Sequence, residues 1–252
     1  YSQQGPLYVW PDKNGVKYQF HFEATQFMDS KDHPIDAKTI AYFRTKHPVI
    51  SKLFAKHELE LLKTGGPRTL GFYASSAIKD RWPEAEPKIL QDAGAAQVYA
   101  KDAIKGRWPE AEPVIMTRPM SAVAYASDVI KGRWPEAEPV IMAHPMPAVA
   151  YARDVIKGRW PEAEPTIKGS GVPARVYAKE VIGGRWPAAE ASIMTDSYSA
   201  LMYATEVIGG RWPEAEPIIA THVAWWKRYT KLFPDAAAAP TVRPKPNPKS
   251  AK

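Results

Sequence analysis

The sequence predicts a mainly α chain: a solenoid of short helix pairs, six 26-residue repeats long, joined to a small N-terminal α+β module. Three observations carry this. Tyr-Ala pairs begin at Tyr73, Tyr99, Tyr125, Tyr151, Tyr177 and Tyr203. Arg-Trp-Pro recurs in the same phase from Arg81, Arg107, Arg133, Arg159, Arg185 and Arg211. Within each unit the apolar residues fall on a helical stripe, which a single short unit cannot bury, so neighbouring units must stack on one another.

Residues 1–66 do not share the period and read as a ββαα module. Leu7 to Trp10 and Val16 to Phe22 are predicted strands, joined by the turn-rich Pro11-Asp12-Lys13-Asn14-Gly15. Val16, Tyr18, Phe20 and Phe22 alternate with Lys17, Gln19, His21 and Glu23, which predicts one buried face and one solvated face. Asp36 is the expected N-cap of a helix through His47 that turns Ile40, Ala41 and Phe43 inward. Pro48 is expected to open a second helix, with Ile50, Leu53, Phe54, His57 and Leu61 on one side and Gly65 at its end.

The array is expected over 67–234, with the third copy as its pattern. Ala122, Tyr125, Ala126, Val129 and Ile130 form one stripe, and Gly132 is the expected left-handed residue that ends the helix. Arg133 and Trp134 connect to a second helix opened by Pro135. Glu136 and Glu138 stand in its first turn, Pro139 interrupts its early hydrogen bonding, and Pro145 and Pro147 end it. Tyr229 falls 26 residues after Tyr203, so a seventh, incomplete unit serves as a terminal cap. Residues 235–252, rich in Ala, Pro and Lys, read as an extended basic tail.

Charge and composition narrow the function classes. The net charge is +7, but residues 1–70 carry +3, residues 235–252 carry +3, and the repeats between them only +1. A nearly neutral array argues against long-range attraction of a polyanion. The chain has no cysteine, which removes disulfides, thiolate nucleophiles and Cys-based zinc sites. No apolar run is long enough to span a bilayer, so no membrane partner is expected.

The phrase Tyr-Ala-x-Asp-Val-Ile-Lys-Gly-Arg-Trp-Pro-Glu-Ala-Glu-Pro, intact at 125–139 and 151–165, resembles tandem repeats of uncharacterised bacteriophage and related viral proteins. The resemblance covers about 71–230 and implies a phage setting, either the cytoplasm of an infected cell or the virion. It implies no catalytic residues. No targeting signal is visible in the sequence.

The repeated residues admit two uses each. Trp108, Trp134, Trp160, Trp186 and Trp212, with Trp82, are either a stacking ladder for bases or sugars, or wedges that pack one helix pair on the next. In the second use Tyr99, Tyr125, Tyr151, Tyr177 and Tyr203 belong to the same packing. Arg107, Arg133, Arg159, Arg185 and Arg211 either line a partner-binding face or pair with a Glu two helical turns away or with the acid before Val-Ile. Asp102, Asp128, Asp154, Glu180 and Glu206 are those acids. Arg243, Lys245 and Lys249 in the tail complete the candidate partner-binding set. The Glu-x-Glu pairs point in different directions on a helix and are not read as an acid/base pair. His47 and His57 have no metal-ligand spacing. The expectation is therefore a non-enzymatic structural or interaction protein, with no cofactor, no metal and a protein partner from virion or host. The alternatives are nucleic-acid binding through the Arg row and basic tail, and an accessory domain of a larger enzyme. The sequence does not give the oligomeric state.

Overall fold

The computed structural model describes residues 5–12 and 14–236. Among them the chain is mostly helical, built of repeated helix pairs, with a small three-stranded antiparallel sheet at the N-terminal end. It divides into two compact units, Tyr1–Lys131 and Gly132–Lys252. The tail positions Arg243, Lys245 and Lys249 lie outside the described residues.

The first unit begins with strands β1 (Tyr8–Pro11), β2 (Lys17–His21) and β3 (Gln26–Asp29), in the order β1-β2-β3. Strand β3 was not expected, because a four-residue segment behind a tight turn is too short to show alternation. With β3 paired to it, β2 is the central strand. His21, expected to face solvent, is buried along with Phe20 and Phe22. The core is aromatic: Phe20, Phe22, Phe27, Phe43 and Phe54 pack with ring centroids 4.9–6.4 Å apart.

Helix α1 (Ala37–Thr45) starts where expected, with the Asp36 carboxylate accepting from the Thr39 N–H at 3.0 Å. It stops short of His47, because that residue starts the next element. The His47 Nδ1 accepts from the N–H groups of Val49 and Ile50 at 3.3 and 3.1 Å and covers the orphan donors of helix α2 (Ile50–Thr64). Pro48 sits in the turn ahead of that helix.

In each repeat the first helix carries the Tyr-Ala pair at its C-terminal end. In the fourth copy it runs Pro145–Tyr151 and then widens over Ala152–Ile156 into a π-helical turn. The Ala152 carbonyl accepts from both Lys157 and Gly158, which closes the helix. The left-handed residue here is Lys157, at φ +60°, and not the glycine after it. The same holds for Lys105 and Lys131, and for Lys79 ahead of Asp80, so the role expected of Gly132 belongs to its neighbour. In the fifth and sixth copies Gly183 and Gly209 occupy this position.

The prolines also act differently from expectation. The second helix of the fourth copy is Glu164–Lys168, so Pro165 lies in its first turn, where a missing N–H disturbs nothing. Pro139 has the same place in Glu138–Met142, and Pro145 opens the following helix instead of ending the previous one. Where Ala191 replaces the second proline, the helix runs unbroken over Pro187–Ile193.

Candidate interaction surface

The repeated Arg, Trp, Glu and Tyr residues meet in one hydrogen-bonded constellation that joins each repeat to the next. The backbone N–H of Trp82 donates to the hydroxyl of Tyr99, seventeen residues on. That hydroxyl donates in turn to Glu86 Oε1, and Arg81 grips the same carboxylate through Nε and Nη2. The pattern recurs at Trp108, Trp134, Trp160, Trp186 and Trp212 with Tyr125, Tyr151, Tyr177, Tyr203 and Tyr229. The Trp-to-Tyr bonds are 2.5–2.7 Å and the Arg-to-Glu bonds 2.5–3.0 Å. The rings of Tyr73, Tyr99, Tyr151, Tyr177 and Tyr203 also lie against the Trp nine residues on, as in Tyr151–Trp160 with centroids 5.0 Å apart.

Burial explains why the constellation is polar at its edge and apolar at its centre. All six indoles are buried, so none offers a face to an incoming base or sugar. A buried backbone N–H must be paired, and a phenol can both accept from it and donate onward. Burial pushes the phenols of Tyr125, Tyr151, Tyr203 and Tyr229 up to about 12, with the adjoining Glu carboxylates adding to the effect. The paired arginines hold Glu138 and Glu164 below the usual carboxylate range.

The arginine row is thus engaged. Each guanidinium makes two bonds to a Glu five residues on and not to the acid before Val-Ile. Three of those acids take part in a second set of joints: Lys101 to Asp128 at 2.9 Å, Arg153 to Glu180 at 2.7 Å, and Lys179 to Glu206 at 3.1 Å. In each joint the cation follows the Tyr-Ala pair and reaches an acid one copy further along. Among the described residues, no group of three or more His, Asp or Glu side chains could hold a metal ion. No helix there is long and apolar enough to cross a membrane. The Glu-x-Glu pairs divide: Glu138 is in the constellation, while Glu136 is exposed.

No family model, curated protein or solved structure matches the chain.

A feature missed in the sequence is an exposed apolar residue at the second position of the first helix. Met120 in the first unit is 54% exposed, and Met146, Val172 and Tyr198 in the second are 44, 47 and 40% exposed. They recur every 26 residues, each directly after the residue that opens its helix. Their distance from the helical stripe was the available signal. Tyr198 also has a ring partner, Trp225, with centroids 5.2 Å apart.

Proposed function

We propose that the protein is a non-enzymatic scaffold that presents the in-phase apolar residues of its repeats to a protein partner. The observation carrying this reading is the row of Met146, Val172 and Tyr198 in the second unit, with Met120 at the same place in the first. The repeated Arg, Trp, Glu and Tyr, by contrast, are used for joining copies. A repeating apolar row suits a partner with its own regularly spaced apolar side chains and does not suit a phosphate backbone. The alternative of nucleic-acid binding through the arginines loses support, because a phosphate would have to displace a bidentate carboxylate at each copy. The resemblance of the repeats to phage sequences favours a virion or host protein as partner.

Photocrosslinking tests the proposal. A benzophenone side chain placed at Val172, in the full chain in cells that naturally make it, should form an adduct with a defined polypeptide. The same group at exposed Glu162 should not. Met146→Glu should weaken the adduct while leaving the melting temperature unchanged. Adducts to nucleic acid at Val172 would transfer the function to the alternative.

A further inference from the structure

The N-terminal module contains an open pocket of about 640 Å³ that the repeat constellation does not use. Its walls are set by strand register and by the end of α1. Trp10 and Tyr18 are directly paired across β1 and β2, so both rings stand on one face of the sheet. Tyr18 rests on Phe43 of α1, with centroids 5.0 Å apart. At the far end Trp10 and Tyr42 stand edge-to-face against the His47 ring, at 4.8 and 6.1 Å. His47 is itself fixed by the two backbone N–H groups that its Nδ1 accepts.

The rim is acidic. Asp12 and Asp36 line the pocket along with one lysine, Lys38. Asp12 Oδ1 is tied into its turn by Asn14 and Val16, and Asp36 caps α1. Among the described residues neither carboxylate forms an ion pair with a Lys or Arg. The field reaches the pocket wall: the Tyr18 phenol is held above its ordinary value, first by burial and then by Asp12, Asp36 and Asp29. Tyr42 remains half exposed although it has aromatic neighbours on one side.

We propose that this pocket binds an organic cation with an apolar skirt, a quaternary or methylated ammonium group, between Trp10, Tyr18 and Tyr42 with Asp12 and Asp36 at the rim. The faces of aromatic rings carry negative charge density and attract such a cation, most strongly where water is thinned by a pocket. Methyl groups on the nitrogen lower its hydration and fill the space between the rings. A bare inorganic cation would gain little from these walls. A neutral ligand of the same shape would gain the apolar contact and forgo both the ring faces and the carboxylates.

Choline and its uncharged isostere 3,3-dimethyl-1-butanol separate these terms. The full chain, labelled in its tryptophan indoles and assigned at position 10 through Trp10→Phe, is titrated with each and followed by NMR. Choline should shift the Trp10 resonance saturably, and the isostere should bind at least about fivefold more weakly, the factor expected of a cation–π contribution near 1 kcal/mol. Tyr42→Ala and Asp12→Asn should each weaken choline by a similar factor, and Tyr42→Ala should leave the melting temperature in place. Equal affinity for the isostere would reduce the site to an apolar groove. A choline shift that never saturates, or one that Tyr42→Ala does not change, would remove the site altogether.

Discussion

At the residue scale the tyrosine hydroxyl is the smallest group on which the array depends. It pairs the buried N–H of a tryptophan in one copy and the carboxylate of a glutamate beside it. Tyr151→Phe keeps the ring packing and removes only these bonds. The Trp134 N–H then loses its partner at 2.6 Å, and the expected destabilisation is about 1–3 kcal/mol, the usual range for an orphaned buried donor. Urea unfolding of the full chain measures it, and an unchanged midpoint would show that water substitutes for the phenol. The left-handed lysine invites the opposite change. Lys157 adopts φ +60° with a Cβ, whereas Gly183 and Gly209 do so without one. Lys157→Gly should therefore stabilise the protein by about 0.5–1 kcal/mol, the strain relieved being partly offset by the greater chain entropy of an unfolded glycine. A fall in melting temperature would mean that the lysine side chain contributes more than its backbone strain costs.

At the scale of the element, the second helix of each repeat is short because two prolines stand four residues apart. The fifth copy shows the remedy, since Ala191 allows one helix over Pro187–Ile193. Pro165→Ala should convert the fourth copy to the same form, raising helical circular dichroism slightly and changing stability by less than about 1 kcal/mol. A loss of helicity would show that the proline rigidifies a turn the helix needs. These elements also show where sequence reading succeeds. Period, stripe and helix-opening prolines were legible because they depend on local chain chemistry. The third strand was not, since Gln26–Asp29 is held by pairing to β2 and not by its own pattern. The left-handed residue was misplaced by one position because glycine is the stronger conformational signal even where its neighbour makes the turn. The pairing of Arg81 with Glu86 was half legible: a Glu two helical turns away was expected, whereas the partner stands five residues on and is fixed by a hydroxyl from the next copy. The exposed row at Met146, Val172 and Tyr198 needed a measure of burial that periodicity alone does not provide.

For the whole molecule, stability is distributed over similar joints. The N-terminal module supplies the first with different residues: Arg44 and Glu58, bonded at 2.7 and 3.2 Å, sit beside the hydroxyl end of Tyr73, and His57 packs on its ring. At the other end Phe233 lies edge-on to Tyr229, 5.0 Å away, in place of a further tryptophan. Removing one internal copy, residues 151–176, should leave a shorter protein that still melts cooperatively, because the flanking copies regain the Trp–Tyr–Glu–Arg joint, although Glu180 exchanges Arg153 for Ser127. Loss of cooperative melting would contradict neighbour-to-neighbour stacking. The tyrosines also set an alkaline limit. Their folded values near 12 exceed the unfolded value near 10, so the neutral phenol is favoured by folding. That contribution is complete below about pH 10 and is lost as pH rises from about 10 towards 12, with several phenols acting together. Thermal melts across this window should show a steep fall, shallower in Tyr151→Phe.

The tyrosine that closes each joint lies 26 residues from its counterpart in the next, and this has a genetic consequence. When two copies of the gene misalign by one repeat and recombine, the product gains or loses a full period wherever the crossover falls. Every seam in the new chain then contains a tryptophan, a glutamate and an arginine from one side and a tyrosine from the other. Array length can therefore drift over generations without any new interface being invented. The ends are exempt, since Arg44, Glu58 and Phe233 occur once and outside the period.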